Sequence, residues 1–361
     1  MRESLVNRLP VHIISGFLGA GKTTFLNHFI KARRHERILV IENECGDTNV
    51  DGAIVFEGVE EVVELTSGCL CCSLSDGLID ILALVAERKD EFDRVVIETT
   101  GIADPSSIMQ VFLSDPRVEK VFELQQMTCL ADAGLLEEWL SEAEEALRQV
   151  AIADVILINK IDTVEAVQLQ SLKKTLEGIN PQAYLMEGEQ GVFDVDEVLK
   201  IGSTRSESVE TKILENTAES HVHHHHDHDH KNDHSHDPHH HHDHDHNHDH
   251  NSHGITTFTL TFDGVFDLDA LSLELYKISN LYRSQVYRVK GIIAIPNYEN
   301  MVILQSVRSS FVATDGRAWK DGETRVSKLV FIGRGLRKDV FQKMFSRYII
   351  KEPVNLQNEF L

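Results

Sequence analysis

The residues of this 361-residue sequence that are best suited to chemistry form a loop at positions 16–23. The loop reads GFLGAGKT, which fits the pattern G-x-x-x-x-G-K-[ST]. In this pattern the glycines let the backbone wrap around phosphates, the lysine reaches the β- and γ-phosphates, and the hydroxyl residue binds Mg²⁺. A predicted strand (residues 11–15) precedes the loop and a predicted helix (residues 24–31) follows it, and the dipole of that helix favours bound phosphate. The sequence therefore predicts a nucleotide site, with Lys22 on the phosphates and Thr23 on Mg²⁺.

A second motif, NKID at residues 159–162, ends a predicted buried strand at residues 155–159. Asp162 can accept hydrogen bonds from N1 and N2 of guanine, which adenine cannot supply, while Asn159 and Lys160 would brace the loop and cover the base. The same four residues elsewhere more often form an exposed turn. Downstream of a phosphate loop they favour GTP over ATP as the nucleotide.

A third strand, predicted at residues 94–98, ends at Glu98, and a P-loop hydrolase needs a carboxylate near Mg²⁺ at such a strand end. Gly101 could offer a backbone N–H to the γ-phosphate. The alternative is that Glu98 is an ordinary acid at the end of a strand. We expect Lys22 and Glu98 to be the catalytic residues, and nucleotide contacts from Gly16, Gly19, Ala20, Gly21, Lys22, Thr23, Thr24, Gly101, Asn159, Lys160 and Asp162.

Three cysteines, Cys69, Cys71 and Cys72, lie within four positions. Thiolates this close together suit a soft or borderline cation, and tetrahedral Zn²⁺ fits best, with the fourth ligand from elsewhere. Redox activity of the thiols and simple burial in a core are the alternatives. Cys129 is alone and is predicted to be an ordinary core or surface thiol.

Residues 221–253 alternate histidine with aspartate, and both side chains are good ligands for Zn²⁺, Ni²⁺, Co²⁺ and Cu²⁺. The tract is internal and irregular, which argues against an affinity tag; a solvated spacer without a metal role is the other alternative. We predict a secondary metal site of low affinity, centred on the two runs of four histidines: His223, His224, His225, His226, His239, His240, His241 and His242.

The elements that must position these residues alternate between short apolar runs and amphipathic helices, which is typical of a doubly wound, mostly parallel α/β sheet of the P-loop type. We predict an N-terminal GTPase domain at residues 1–202 and a disordered, His/Asp-rich linker at 203–254, which has too little apolar surface to fold. Residues 255–361 are predicted to form a small α+β domain. Its strands are expected at 255–262, 285–295, 301–307 and 328–332, with helices at 268–282 and 336–345.

The charge and composition exclude several classes of protein. The formal net charge of −23 makes a nucleic acid or an anionic membrane surface an unlikely partner for the whole chain. Five cysteines, three of them clustered, do not form a disulfide framework, so a reducing compartment is expected. The N-terminal residues lack the apolar segment of a signal peptide, and no apolar run approaches ~20 residues. We therefore predict a cytoplasmic protein, and the sequence leaves homo-oligomer formation open.

Together these motifs resemble the CobW-type family of G3E P-loop GTPases. The likeness rests on GFLGAGKTT at residues 16–24, ENECG at 42–46, GCLCC at 68–72, ETTGIADP at 98–105 and NKID at 159–162. Further segments resemble the C-terminal domain of that family: YRVKG at 287–291, LQ at 304–305, Arg325 and FIGR at 331–334.

The resemblance implies a GTP-dependent metallochaperone that delivers Zn²⁺, or another divalent ion such as Co²⁺ or Ni²⁺, to a client metalloprotein. Carried over by position, Cys69, Cys71 and Cys72 are the metal cysteines, and Glu42 and Asp47 could add carboxylate ligands. Cys45 departs from the family, which usually has an aromatic residue there, so the ligand set stays open. A metal-storage protein with regulatory GTP binding is the alternative function, and a P-loop kinase acting on a small molecule is a more distant one.

Overall fold

The structure is a computed structural model that describes residues 8–43, 61–64, 74–202, 212–214 and 254–350. Within these ranges the first 202 residues form a seven-stranded parallel sheet with helices on both faces. Its strands are β1 (Leu9–Gly16), β2 (Ile38–Asn43), β3 (Glu61–Glu64), β4 (Arg94–Thr99), β5 (Phe122–Asp132), β6 (Val155–Asn159) and β7 (Tyr184–Glu187). Its helices are α1 (Lys22–Ala32), α2 (Leu74–Glu87), α3 (Ser106–Ser114), α4 (Pro116–Val121), α5 (Leu136–Glu142), α6 (Glu144–Ile152), α7 (Ala166–Ile179) and α8 (Val195–Gly202).

The strand order β3-β2-β4-β1-β5-β6-β7 places β1 where the chain reverses its direction across the sheet. After β1 the chain moves to one side, to β2, and after β4 it crosses to β5 on the other side. In parallel sheets, ligands bind beyond the carboxyl ends of the strands at such a switch point. The loop that follows β1 is the predicted phosphate loop, so the topology positions it at the expected ligand crevice.

Apolar layers cover both faces of this sheet, which is why its central strands are nearly continuous apolar runs. One layer joins α1 and α8 to the sheet. The other joins α2 through α7 to the opposite face. In the described part of the chain, no helix is both long and apolar enough to cross a membrane.

The region from 254 to 350 forms a five-stranded antiparallel sheet of order β12-β11-β10-β13-β8. Its elements are β8 (Ile255–Asp263), α9 (Leu268–Leu281), β10 (Val286–Ile293), β11 (Asn300–Val307), β12 (Ser310–Ala318), β13 (Val326–Arg334) and α10 (Lys338–Phe345), and a small separate pair is formed by β9 (Val265–Phe266) and β14 (Ile349–Ile350). The described residues also include three short 3₁₀ helices: Lys89–Glu91, Ile161–Thr163 and Ser346–Tyr348.

The second sheet packs on its own helices with one face and on the first domain with the other. Along β13, Leu329 and Phe331 join the core beneath α9 and α10. Val330 and Ile332, which alternate with them, join the core of the first domain. Side chains of a strand point alternately to the two faces of its sheet, so one strand serves both cores. The two domains therefore share a hydrophobic core.

The predicted fold class is confirmed, since a doubly wound parallel sheet is followed by a small α+β domain. Disorder is predicted for residues 203–254, most of which lie outside the described residues. Residues 212–214 are helical instead, and Ile213 is buried against Ile292 and Met301. The prediction is wrong at these three residues because apolar side chains there find a small core of their own.

Candidate functional site

The predicted phosphate loop connects the end of β1 to the start of α1. Gly21 has the positive φ of 100° that favours glycine, and a Cβ there would lie 2.4 Å from Nδ2 of Asn159. Lys22 begins the helix, is buried, and its ammonium group donates a hydrogen bond to the carbonyl of Phe17 at 3.4 Å. Burial lowers the pKa of Lys22 although the nearby Glu98 opposes this. The lysine is thus folded over its own loop, where an incoming phosphate would meet it.

Thr23 and Glu98 face each other across the first turn of α1. Thr23 Oγ1 donates a hydrogen bond to Oε1 of Glu98 at 2.9 Å, and Glu98 is 9% exposed. The register of the sheet places Glu98 between Ile14 of β1 and Glu42 of β2. A hydroxyl and a carboxylate at the mouth of a phosphate loop match the hard oxygen ligands that Mg²⁺ prefers, so the residues present fit this ion.

The segment after β4 lies directly against the phosphate loop. A Cβ on Gly101 would come within 2.6 Å of the backbone nitrogen of Leu18, so only glycine fits this approach. Gln149, which is buried in α6, donates hydrogen bonds to the carbonyls of Gly101 and Ala103 at 3.0 and 2.9 Å. The segment that would meet the γ-phosphate is therefore held from behind by a side chain of α6.

Asn159 ties three parts of the site together. It is 1% exposed, and its Nδ2 donates to the carbonyl of Ala20 at 2.9 Å. Its Oδ1 accepts a hydrogen bond from the backbone N–H of Gly191, also at 2.9 Å. The end of β6 thus braces the phosphate loop on one side and the loop after β7 on the other.

Lys160 and Asp162 follow at the same edge of the sheet. Lys160 adopts a left-handed conformation with φ 61°, and its ammonium group lies 2.7 Å from Oδ2 of Asp132. Asp132 is level with Asn159 in the register of β5 and β6. Asp162 is exposed in the 3₁₀ turn Ile161–Thr163. This arrangement holds the Lys160 side chain in place and leaves the Asp162 carboxylate accessible to the base of a nucleotide.

Sequence reasoning missed the loop after β7 as part of this site. Gly191 has φ 71°, and a Cβ there would lie 2.9 Å from the Thr24 side chain and 3.0 Å from the backbone nitrogen of Phe25. The same loop contacts α1 at a second point, where the His28 ring is 2.8 Å from the carbonyl of Phe193. The two glycines of GEQG at residues 188–191 are the only sequence signal of this close packing.

The remaining predicted nucleotide contacts lie on the loop or on the first turn of α1. Ala20 is buried, Thr24 is exposed, and Gly16 ends β1. Gly19 has φ 76° and no atom within 4 Å of a Cβ built on it. One strand-loop-helix unit therefore contains seven of the predicted nucleotide contacts: Gly16, Gly19, Ala20, Gly21, Lys22, Thr23 and Thr24. Asn159 joins this unit to the NKID motif at residues 159–162.

Most of the predicted metal ligands lie outside the described residues: Cys69, Cys71, Cys72, Asp47 and the eight histidines His223, His224, His225, His226, His239, His240, His241 and His242. Glu42 is described, half-buried and level with Glu98 on the neighbouring strand. Across the described ranges, no group of three or more His, Cys, Asp or Glu side chains could hold a metal ion. Cys129 is a core thiol at 1% exposure, and burial raises its pKa to about 12.

Two family models match the chain. The model described as CobW/HypB/UreG, nucleotide-binding domain matches residues 10–187, and the cobalamin synthesis protein cobW C-terminal domain matches residues 255–349. The zinc chaperone YjiA of Escherichia coli is 29% identical over 345 residues, which span 94% of this chain and 99% of that protein. The zinc chaperone CobW of Pseudomonas aeruginosa is also 29% identical, over 91% of this chain and 88% of its own length.

Among solved structures, the crystal structure of Zn(II)-bound YjiA GTPase from E. coli is similar to this chain with a TM-score of 0.67 and 26% identity. The likeness covers 96% of this chain and all (100%) of that one. It spans both domains and the region that contains the phosphate loop. By its two domain models and its full-length relatives, this chain belongs to the CobW family of G3E P-loop GTPases.

Proposed function

We propose that this protein is a GTP-hydrolysing metallochaperone that carries Zn²⁺, or another divalent transition metal, on Cys69, Cys71 and Cys72 and delivers it to a client metalloprotein. The observation that carries the proposal is the Thr23–Glu98 pair, whose atoms lie 2.9 Å apart beside the strand that leads into ENECG. The sites for nucleotide and metal would then share one edge of one sheet.

The contacts of the described residues support the nucleotide half of the proposed mechanism. Lys22 would exchange the Phe17 carbonyl for phosphate oxygens and stabilise the charge that develops on them during hydrolysis. Thr23 and Glu98 would hold Mg²⁺, which neutralises the phosphates when it is bound. Gly101 would donate its N–H towards the γ-phosphate, and Asp162 would select guanine.

The metal half rests on the order of the strands. At the carboxyl edge β2 lies beside β4 and β3 lies beside β2, and Cys69 comes five residues after the end of β3 at Glu64. Five residues can span up to ~17 Å, while two strand spacings across the sheet amount to roughly 10 Å. The cysteines can therefore reach the neighbourhood of Glu98, with Glu42 and Asp47 as additional carboxylate ligands.

The names of similar proteins agree with Zn²⁺ as the metal ion that is carried. The two full-length relatives described above are called zinc chaperones, and the similar crystal structure is of a Zn(II)-bound GTPase. The cysteine set suits Zn²⁺, and thiolates with imidazoles also accept Co²⁺ and Ni²⁺. The partners of this chain would be GTP and a client protein, with neither nucleic acid nor membrane.

The His/Asp tract would act as a low-affinity buffer that feeds the cysteine site. A flexible linker of about forty residues has a root-mean-square reach of roughly 35 Å, enough to bring a loosely held ion to the site. The buffer should lose metal on mild acidification, because protonated imidazole cannot ligate. Deleting residues 217–253 should lower the number of Zn²⁺ ions bound per chain, and an unchanged number would rule out the buffer.

Metal-stimulated GTP hydrolysis tests the proposal. We expect Zn²⁺ to accelerate phosphate release by the wild-type protein, and Cys71→Ala to abolish the acceleration while leaving the metal-free rate in place. Lys22→Ala should lose both rates and serves as the hydrolysis control. Stoichiometric metal binding without any effect on turnover would favour the alternative, a storage protein in which GTP binding is only regulatory.

A further inference from the structure

A polar cleft of about 500 Å³ lies between the two domains, away from the nucleotide residues described above. It is lined by Arg148 of α6, by Arg283 and Ser284 after α9, by Tyr287 of β10 and by Arg308 in the turn between β11 and β12. Pockets of 300–1,000 Å³ at domain boundaries are common binding sites. The three guanidinium groups give this cleft its chemistry.

Within the described ranges, two carboxylates, Asp104 and Glu144, satisfy part of this positive charge. Asp104 accepts hydrogen bonds from Arg148, at 2.9 Å, and from Arg308. Glu144 accepts from Arg148 at 2.6 Å and from the Tyr287 hydroxyl at 3.0 Å. Of the three guanidinium groups, those of Arg148 and Arg308 thus meet these two described carboxylates, in a chain whose formal net charge is −23. A basic cleft on an acidic protein is matched to an acidic ligand.

Arg283 is the group that remains available. It is exposed, and no carboxylate of the described residues pairs with it. Beside it, Leu281 is 75% exposed and also lines the cleft. An arginine fork binds a carboxylate bidentately, and an adjacent exposed leucine offers apolar contact. This combination fits a peptide carrying acidic and apolar side chains, and a long polyanion such as DNA would be repelled by the rest of the surface.

Asp104 connects the cleft to the nucleotide site. It lies three residues after Gly101, in the segment that Gln149 holds against the phosphate loop. Burial alone would raise the pKa of Asp104, but hydrogen bonds from Ser106, the charge of Arg308 and a hydrogen bond from Arg148 hold it below its ordinary value. Asp104 is therefore an ionised carboxylate that already occupies two of the three arginines.

We propose that this interdomain cleft is the docking site for an acidic segment of the client protein, and that Asp104 competes with that segment for Arg148 and Arg308. The inference rests on the proposed function, because it supplies the place where the client binds. An incoming carboxylate displaces Asp104 and so disturbs the segment beside the γ-phosphate. By linkage, the nucleotide state then changes the affinity for the client segment by the same factor.

Fluorescence anisotropy of a labelled peptide, containing six Asp or Glu residues and one Leu, tests the docking site on the full-length protein. We expect Arg283→Glu to weaken binding by at least about tenfold, since arginine is a common interface hot spot. Arg347→Glu makes the same change at an exposed arginine outside the cleft, and it should retain the wild-type affinity within about twofold. Asp104→Asn should bind the peptide more tightly, because the internal competitor has lost its charge.

Three results would overturn the proposal. They are no peptide binding by the wild type, equal losses in Arg283→Glu and Arg347→Glu, and displacement of the peptide by millimolar inorganic phosphate or a short DNA duplex as readily as by unlabelled peptide. Zn²⁺-stimulated GTP hydrolysis by Arg283→Glu separates this inference from the proposed function. If stimulation persists while peptide binding is absent from both proteins, docking alone is wrong; if the wild type shows no stimulation, the proposed function is wrong.

Discussion

At the scale of single residues, the candidate site depends on polar side chains that are held in place before any nucleotide arrives. Thr23 and Glu98 already share a hydrogen bond, Lys160 is paired with Asp132, and Asn159 uses both ends of its amide. Such preorganisation is valuable in catalysis because little has to rearrange during the reaction. Each of these side chains can be tested by a change that preserves its size.

Replacing Glu98 by glutamine should lower kcat for GTP hydrolysis by roughly 10- to 100-fold, which is typical for the loss of a group that supports a metal ligand. The amide keeps the shape but removes the negative charge facing Thr23 and Mg²⁺. Steady-state phosphate release at saturating Mg²⁺ measures the effect. Glu91→Gln makes the same change at the exposed end of the Arg88 ion pair and should leave kcat unchanged; an equal kcat in both variants would remove Glu98 from the mechanism.

Asp162→Asn should reverse the base preference. The side-chain amide keeps one oxygen acceptor but donates where the second carboxylate oxygen accepts, so it loses one charge-assisted hydrogen bond from guanine, a loss of roughly 10- to 100-fold in affinity. Xanthine carries a carbonyl in place of the 2-amino group and should gain what guanine loses. Competition binding of GTP and xanthosine triphosphate checks this, and a variant that still prefers GTP would place guanine recognition elsewhere.

At the scale of elements, the sequence predicts the strands whose carboxyl ends carry the motifs of the site. β6 is found with the predicted bounds, and β1 and β4 extend the predicted spans by one to three residues. These strands are buried on both faces and are therefore continuous apolar runs. Their carboxyl ends carry the motifs, so the candidate nucleotide residues could be predicted together with them.

Other strands escape the sequence pattern for physical reasons. β5 is central in the sheet, but Gln125, Gln126 and Thr128 interrupt its apolar run. A hydrogen bond from Gln126 Nε2 to the carbonyl of Val198, at 2.8 Å, offsets the cost of burying this polar side chain. β12 lies at the edge of the second sheet and is only partly buried, so its pattern is mixed. Both segments become strands because of tertiary contacts, which no local sequence pattern indicates.

The close packing of the loop after β7 against α1 can be tested at Gly191. Gly191→Ala forces a Cβ against α1 at a positive φ, so it should destabilise the fold and weaken GTP binding. Gly322 is a matched control, since its φ is 77° and nothing lies within 4 Å of a Cβ built there. Gly322→Ala should lower the free energy of unfolding by only ~1–2 kcal/mol, the cost of the left-handed conformation, and leave GTP affinity unchanged.

Urea unfolding and nucleotide titration of the two glycine variants separate two effects. Gly322→Ala reports the cost of the positive φ alone, and Gly191→Ala adds the steric contact with α1. Equal destabilisation in both, with GTP affinity unaffected in Gly191→Ala, would mean that the loop after β7 does not support the phosphate loop.

At the scale of the whole molecule, a buried charge cluster joins the two domains. Asp154 of the first domain accepts hydrogen bonds from Arg288 and Lys290 of β10, and all three side chains are no more than 4% exposed. Burial would raise the pKa of Asp154, but the Arg288 and Lys290 charges hold it below its ordinary value of 3.8. The sequence predicts two domains, yet nothing local in it indicates that an aspartate in one pairs with strand residues 134 and 136 positions later.

Asp154→Asn should lower the free energy of unfolding by about 3–5 kcal/mol, because it leaves two buried cations without a counter-charge. The folded-state pKa of Asp154 is lowered, so its stabilisation is complete above the unfolded value of 3.8 and is lost as pH falls through the folded value. The difference between wild type and variant should therefore be the same at pH 7 and about pH 5, and should narrow below pH 3.8.

Urea unfolding of the wild type and Asp154→Asn across this pH range measures the difference. Asp115→Asn is a control at a carboxylate paired with an exposed arginine of its own helix, and it should change the free energy of unfolding only slightly at pH 7. A difference of that small size for Asp154→Asn as well would show that the charge cluster does not hold the domains together.

If one domain couples GTP to a metal held by the cysteines, the affinity for Zn²⁺ must depend on the bound nucleotide, and competition with a chelator measures that affinity. With Mg²⁺ present, the wild type should bind Zn²⁺ with affinities that differ at least about fivefold between GDP and a non-hydrolysable GTP analogue. Cys71→Ala should bind more weakly and equally in both states, while Cys129→Ala, which removes a core thiol, should keep the wild-type difference. Zn²⁺ affinity that is the same with either nucleotide, or that is unchanged in Cys71→Ala, would contradict the coupling.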